Sequence, residues 1–169
     1  RRFDGWVPDR AWVADITYLR TDEGWLYLAC VMDLGSRRIV GWSMGDHMRA
    51  GLVCEALTSA YWSRKPEAGL IMHSDRGSQY ASEAHRQLLG EYGMVQSMSR
   101  RGNCWDNAAM ESFFKTLKVE RTHRVRYATR AQARLDIVNW IEGFYNRRRM
   151  HSSIGYRSPV TFEQSLMAA

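Results

Sequence analysis

The sequence predicts an α/β fold in which helices flank a mixed five-stranded sheet. Residues 11–20 alternate well enough to form a strand, and Trp25–Met32 is an apolar run typical of a strand buried on both faces. Arg38–Met44 reads as a third strand after another short turn. Because short turns join antiparallel neighbours, we expect these three strands to form a meander.

Helices and strands alternate in the next part of the chain. The apolar positions of Ala50–Arg64 follow helical spacing, and Gly69–His73 is a short apolar strand. Ser82 can cap a helix that runs to Tyr92, and Met94–Met98 reads as the fifth strand. Strands joined through helices are usually parallel, so two parallel strands should extend the meander.

The last third of the chain is predicted to be helical. Asp106 or Asn107 can cap a helix that ends near Arg121, and Thr129 begins a capping box for the next helix. The spacing of that second helix places five residues on one core face: Ala133, Ile137, Trp140, Ile141 and Phe144. Residues 158–169 should form a short helix packed on the surface.

Length and composition favour one packed domain. The 169 residues include seven Trp and eight Tyr, enough to bury a real core. No apolar run is long enough to span a bilayer. Cys30, Cys54 and Cys104 are odd in number and widely spaced, so we expect reduced thiols in a cytoplasmic protein. The chain begins at Arg1 without Met, which suggests a fragment whose upstream region is missing.

The positive charge is concentrated in one stretch. Residues 100–151 hold twelve Lys/Arg against five Asp/Glu, a balance of +7, whereas the rest of the chain has a balance of −1. A solvated helix face explains many charge runs. Beside a cluster of acids, however, a basic surface is what a site for polyanionic nucleic acid requires.

Three acidic residues in distinctive local runs are the strongest functional signal. They are Asp15, Asp75 and Glu111. Asp15 is predicted on a central strand and Asp75 just beyond the end of its parallel neighbour, so their carboxylates can meet. Oxygen ligands of this kind hold Mg²⁺, which activates water and stabilises a displaced oxyanion in phosphoryl transfer.

One helix combines an acid with two amines. Glu111, Lys115 and Lys118 have the spacing i, i+4 and i+7, which is one side of a helix. The opposite side can pack on the sheet through Met110, Phe113, Phe114 and Leu117. Such a face can ligate metal at one point and hold phosphate beyond it, although an ordinary intrahelical salt bridge accounts for the same pattern.

Other reactive residues favour structural roles. His73 is next to Ser74, but neighbouring strand residues point to opposite faces, which excludes a hydrolase triad with Asp75. The histidines lack zinc spacing, and the glycines form no Walker or dinucleotide loop, so no nucleotide cofactor is expected. Gln79 either orients a ligand or braces a turn, and Trp105 either stacks on a base or anchors a loop.

Four motifs resemble one known family. The chain is similar to the catalytic domain of DDE transposases of bacterial insertion sequences, the insertion-sequence-three group that is closest to retroviral integrases. The first three motifs contain the acids and the fourth is the family's C-terminal signature. They are Trp12–Tyr18, His73–Tyr80, Gly102–Glu120 and Tyr145–Pro159. Lys118 occupies the position of the family's basic residue seven positions after the Glu.

The resemblance implies a ribonuclease-H-like fold and two Mg²⁺ or Mn²⁺ ions. Asp15 would bridge both ions, and Asp75 and Glu111 would each complete one site. The family cuts one DNA strand by hydrolysis, and the exposed 3′-hydroxyl then attacks another phosphodiester. Residues 1–169 would be one integrase-type catalytic core, with 146–169 as a C-terminal extension and the DNA-binding region absent upstream. A nuclease of the same fold that does not join strands, or a silent DNA-binding module, stays open as an alternative.

Double-stranded DNA is therefore the expected partner, bound by a homo-oligomer without membrane contact, in the cytoplasm at the nucleoid. The candidate DNA-contact residues are basic or polar: Lys115, Lys118, Arg100, Arg101, Asn107, Arg147, Arg148, Arg149 and His151. The segment Ser99–Trp105 is expected to be a mobile loop. Without DNA, we expect Glu111 to be turned away from the other two acids.

Overall fold

The computed structural model describes residues 7–99 and 107–168 and contains the predicted five-stranded sheet. The strands are β1 (Ala11–Thr21), β2 (Gly24–Asp33), β3 (Ile39–Gly45), β4 (Ile71–Ser74) and β5 (Val95–Met98). Their order across the sheet is β3-β2-β1-β4-β5. The first three strands pair antiparallel, whereas β4 is parallel to β1 and to β5. The predicted meander with two parallel additions is confirmed.

Five α-helices accompany the sheet in the described part of the chain. They are α1 (Ala50–Arg64), α2 (Glu83–Glu91), α3 (Ala108–Glu120), α4 (Arg130–Asn139) and α5 (Pro159–Met167). The side chains of Ser82, Thr129 and Ser158 accept hydrogen bonds from the backbone of the helices that they precede, as capping residues do. Asn107 stands at the N-cap of α3 without a side-chain cap bond. Asp106 lies outside the described residues.

The end of α4 differs from the predicted pattern. Residues Trp140–Tyr145 form a π-helical turn, in which the Asn146 N–H donates to the Ile141 carbonyl five residues earlier. One extra residue per turn moves the buried face by one position. Tyr145 is therefore buried, and Phe144, predicted on the core face, is 38% exposed. The other four predicted core residues are buried.

The two faces of the sheet have separate cores. On one face, α3 packs through Met110, Phe113, Phe114 and Leu117, the stripe predicted from helical spacing. The opposite face is covered by α1 and α2, with Leu52, Leu57 and Leu89 among the buried residues. Each fully buried side chain of this size contributes about 1.5–3 kcal/mol. These two layers hold β1 rigidly between them.

The central strand has an open edge. β1 pairs with β2 from Trp12 to Thr21, but it pairs with β4 only over Ala11–Val13. Beyond Val13, the β4 side of β1 has no strand neighbour among the described strands. Because Asp15 lies just past the last paired residue, the short length of β4 leaves space beside it.

The C-terminal segment is tied to the core by polar contacts. The Asn146 side chain accepts a hydrogen bond from the Ile39 N–H (2.9 Å) and donates one to the Ile39 carbonyl (3.0 Å). Glu163 of α5 forms ion pairs with Arg64 and with Arg38. Within the described residues, no helix combines the length and the apolar character needed to cross a membrane.

Candidate active site

Asp15 is a half-buried carboxyl group at the centre of the sheet. Its Oδ1 accepts a hydrogen bond from the Ile16 N–H at 2.8 Å, and its register partner on β2 is the buried Cys30. Burial raises the pKa of Asp15 from 3.8 to about 6, against the Ile16 bond, and the charges of Asp75 and Glu111 raise it further. The charges of Asp75 and Glu111 therefore both act on the Asp15 carboxyl group.

Asp75 is held by the turn that follows β4. Its Oδ1 accepts a hydrogen bond from the Gly77 N–H at 2.7 Å. A Cβ atom at residue 77 would stand 2.9 Å from that same oxygen, so any side chain there would displace the carboxylate. The glycine two positions after the acid thus fixes the direction of the carboxylate through the backbone.

Glu111 reaches the group from the first turn of α3, where it is exposed. Within residues 7–99 and 107–168, no three His, Cys, Asp or Glu side chains converge closely enough to form a ready-made metal site. The three acids nevertheless interact electrostatically. They are therefore neighbours around an open space rather than a closed cluster, and Glu111 is the exposed member at the start of α3.

The donor set fits a hard divalent cation. Each of the three residues offers carboxylate oxygens, the ligands that Mg²⁺ and Mn²⁺ prefer. Burial is the main cause of the raised pKa of Asp15, and a cation would offset the repulsion from Asp75 and Glu111 that adds to it. His73 is not part of this set, since its ring nitrogens lie 2.9 Å from the Ser97 hydroxyl and 3.2 Å from the Ser99 hydroxyl. A structural role for His73, as predicted, agrees with these bonds.

Sequence reasoning missed Tyr80. Its ring is buried, and among the described residues its hydroxyl has no hydrogen-bond partner. Burial raises its pKa well above the usual value, and the charges of Asp15 and Asp75 add to this effect. Tyr80 therefore forms part of the wall behind the acids. The sequence feature that could have identified Tyr80 is its position at the end of the second motif, His73–Tyr80. Gln79, in contrast, donates to the Met48 carbonyl at 2.9 Å and braces the turn.

Lys115 and Lys118 line a cavity of about 360 Å³ together with Glu111. The predicted face of α3 thus presents its carboxylate and both amines to one concave surface. His123, in the turn after α3, completes the basic side of this cavity. The arrangement is suited to a phosphate chain that passes from the acids along the helix.

The C-terminal candidates are on another side of α3. Arg147 and Arg148 are exposed, and Arg149 forms a two-pronged ion pair with Glu120 at 2.8–3.1 Å. Burial, followed by the charges of Arg149 and Arg37, lowers the pKa of His151 to about 4, so its ring is neutral at pH 7. Arg149 and His151 line a second cavity of about 610 Å³ with Ser112 and Thr116. Arg100, Arg101 and Trp105 lie outside the described residues.

The fold and the site together define a class of protein. A sheet of order β3-β2-β1-β4-β5, with acids on the central strand, after its parallel neighbour and on α3, is a ribonuclease-H-like domain. Two family models, both described as integrase core domain, match residues 7–104 and 92–159. The chain belongs to the integrase core domain family.

Curated relatives are transposases. The chain is 49% identical over 161 residues to the transposase InsF for insertion sequence IS3A of Escherichia coli (strain K12), covering 95% of this chain and 56% of the relative. It is 46% identical over 162 residues to the transposase for insertion sequence element IS904 of Lactococcus lactis, covering 96% and 64%. The chain therefore spans less than two thirds of the length of these relatives.

Solved integrase structures share the fold. A chain of the simian T-cell lymphotropic virus intasome in complex with the PP2A regulatory subunit B56 gamma matches with a TM-score of 0.75 at 13% identity, covering 95% of this chain and 56% of that chain. The HTLV-2 integrase catalytic core domain in complex with magnesium matches with a TM-score of 0.71 at 14% identity, covering 94% and 99%. At such low identity these matches show the fold.

Proposed function

We propose that this chain is the catalytic domain of a DDE transposase, which cleaves and joins DNA strands by metal-dependent phosphoryl transfer. The observation that carries the proposal is that the charges of Asp75 and Glu111 both act on Asp15. Three carboxyl groups from β1, the turn after β4 and α3 interact there, at an open edge of the sheet. The identity with curated transposases supports the same conclusion.

Asp15, Asp75 and Glu111 would hold two Mg²⁺ or Mn²⁺ ions, with Asp15 shared between them. When bound, such ions lower the pKa of an attacking water or hydroxyl and stabilise the charge on the leaving oxygen. The protein contributes position. Asp15 is fixed by its strand and Asp75 by the Gly77 N–H, whereas Glu111 lies exposed in the first turn of α3 and would turn towards the ions.

DNA would lie along the basic part of α3. Lys115 and Lys118 would contact phosphates next to the cleaved bond, and Arg100, Arg101 and Asn107 would also contact the strand. Arg147, Arg148, Arg149 and His151 would extend the contact. His151 would act as a neutral hydrogen-bonding group because its pKa is about 4. Several copies would act together on the DNA, at the nucleoid.

A two-substrate assay tests the proposal. A labelled duplex with an exposed 3′-hydroxyl is incubated with supercoiled plasmid and Mg²⁺ or Mn²⁺. We expect nicked plasmid and plasmid that carries the label, and we expect neither with Glu111→Gln. The matched control is Glu83→Gln, because Glu83 is also an acid in the first turn of a helix, α2.

The alternatives give different products. Nicked plasmid without label transfer identifies a nuclease, and DNA binding without cleavage identifies a silent module. Equal activity of Glu111→Gln and the unmodified protein would exclude Glu111 from the mechanism. A loss of activity in Glu83→Gln as well would assign the effect to helix stability.

A further inference from the structure

We propose that a cavity at the end of β1 binds one unpaired nucleotide of the DNA strand that passes through the active site. This inference rests on the proposed function and adds a substrate feature to it: a DNA end that is locally opened. The cavity lies between the last residues of β1, the start of β2 and the turn after α3. None of the three acids lines it.

The cavity has the size and lining of a ligand site. Its volume is about 610 Å³, within the range of small-molecule pockets. Its lining combines aromatic, basic and hydroxyl groups, namely Tyr18, Arg20, Trp25, Lys118, Thr122 and His123. This mixture is typical of sites for single-stranded nucleic acid, where aromatic rings stack on bases and cations follow the backbone.

Two large aromatic side chains are exposed at this cavity. Tyr18 is 53% exposed and Trp25 is 43% exposed, although both belong to the sheet. Their ring centroids are 4.9 Å apart at an interplanar angle of 76°, so the two rings form a corner. A planar base can stack on one ring while its edge contacts the other. Phosphate contact alone would not require these rings.

Cations stand over both rings. The Lys118 Nζ lies 5.5 Å from the Tyr18 ring centroid, and the Arg20 guanidinium lies 5.5 Å from the Trp25 ring centroid. Arg126 also lines the cavity and is bonded to Asp22, its single carboxylate among the described lining residues. Three cationic side chains against one carboxylate leave a positive site, which matches the charge of a nucleotide phosphate.

The cavity is continuous with the active site. The 360 Å³ cavity that contains Glu111 shares Lys118 and His123 with it. From Glu111 to Lys118 the helix rises by about 10 Å, which equals roughly three nucleotide steps along a DNA strand. The base in the cavity would therefore belong to a nucleotide within about three positions of the cleaved phosphate.

The first test compares two DNA ends by fluorescence anisotropy in metal-free buffer. One labelled duplex is fully paired, and the other has its last four base pairs replaced by mismatches. We expect Trp25→Ala to weaken binding of the mismatched end by about 5- to 150-fold, the range that corresponds to the loss of a stacked base. Binding of the paired duplex should change less than twofold.

Matched variants make the result specific. Trp62→Ala removes another exposed Trp, which is on α1 and outside the cavity and whose ring lies below the Lys65 amine. This variant should leave both affinities unchanged. Trp25→Phe keeps a ring and should restore most of the binding. Tyr18→Leu should repeat the effect of Trp25→Ala, and thermal unfolding confirms that each variant is folded. Equal weakening on both DNA ends, or equal weakening by Trp62→Ala, overturns the proposal.

A crosslinking experiment locates the nucleotide. 5-Iododeoxyuridine is placed in turn at each of the last six positions of the mismatched end, and crosslinked peptides are identified after irradiation. A crosslink to Tyr18 or Trp25 from only one or two adjacent positions supports the cavity, and crosslinks that are independent of position overturn it. Glu111→Gln separates the two proposals: if it abolishes cleavage but Trp25→Ala does not affect binding, only the cavity proposal fails. If Glu111→Gln still cleaves, the proposed active site fails while the binding data stand.

Discussion

Two acids in this protein, Glu163 and Asp15, have opposite electrostatic surroundings. Glu163 is as buried as a core residue, yet it accepts hydrogen bonds from Arg64, Arg38 and Ser36, and these partners lower its pKa. Asp15 is half-buried, and burial is the main cause of its raised pKa; the described groups that act on it are one backbone N–H, which lowers the pKa, and two further carboxylates, which raise it. Its pKa is raised to about 6.

This difference distinguishes a structural ion-pair network from a candidate ligand site. In the Glu163 group the protein supplies its own cations, so the charges hold α5 against α1 and β3. Among the described residues, the groups that act on the Asp15 carboxyl include no cation, and this carboxyl lies at the open edge of β1. Carboxylates held next to one another cost stability unless something cationic binds there, and such clusters of acids are frequent at functional sites.

The largest expected effect separates the two groups by activity. Asp15→Asn should reduce metal-dependent cleavage by about 10³-fold or more, because the shared ligand is removed from the reacting centre. Glu163→Gln should retain its activity per folded molecule, since this residue lies in a structural network. Nicking rates, normalised to the folded fraction from circular dichroism, measure both. Similar losses in the two variants would contradict the division.

The next effect concerns stability. Arg64→Ala leaves both Glu163 and Asp9 without their main cation and should destabilise the fold by about 3–5 kcal/mol, as expected for breaking a buried ion pair. Arg10→Ala is the matched control. Its pair with Glu67 spans 3.7 Å between exposed side chains and should contribute about 0–1 kcal/mol. Urea unfolding measures both differences.

A smaller effect of opposite sign is expected at Asp15. Its carboxyl ionises near pH 3.8 in the unfolded chain and near 6 in the folded protein. Ionisation therefore destabilises the metal-free fold progressively between these values, by at most about 3 kcal/mol at neutral pH. Asp15→Asn should be more stable than the unmodified protein at pH 7, and this advantage should vanish below pH 4.

Adding divalent ions tests whether Asp15 belongs to the ion site. Mg²⁺ or Mn²⁺ should raise the melting temperature of the unmodified protein at pH 7 and should have little effect on Asp15→Asn. Asp33, whose pKa is also raised to about 6 by burial, titrates in the same range in both proteins and cancels in the comparison. An equal ion effect in both proteins would remove Asp15 from the ion site.

Local patterns in the sequence were sufficient to predict most of the fold. Apolar periodicity predicted the strands and the α3 stripe, and residue types predicted the caps at Ser82 and Thr129. Each of these features depends on residues close together in the chain. The π-helical turn was missed since Phe144 satisfies α-helical spacing, and only tertiary packing selects Tyr145 instead.

The site was predictable only in part. Asp15, Asp75 and Glu111 stand out by their flanking residues, and their mutual interaction follows from the topology. The contact of Tyr18 with Lys118 joins residues a hundred positions apart, and no local pattern announces it. The same is true of Glu163 and its arginines, which come from three distant segments. Such pairs depend on how the helices pack on the sheet.

The smallest expected effect concerns the route of DNA beyond the acids. If Lys118 contacts a phosphate, Lys118→Ala should lower the slope of log affinity against log salt by about 0.9 for duplex DNA, because one fewer counterion is released. Arg10→Ala, at the opposite end of β1, should leave the slope unchanged although it removes the same charge. Anisotropy titrations between 50 and 200 mM salt measure the slopes. An equal change in both variants would mean that net charge, rather than the basic face of α3, attracts the DNA, and the distinction between compensated and uncompensated charge would then not extend beyond the three acids.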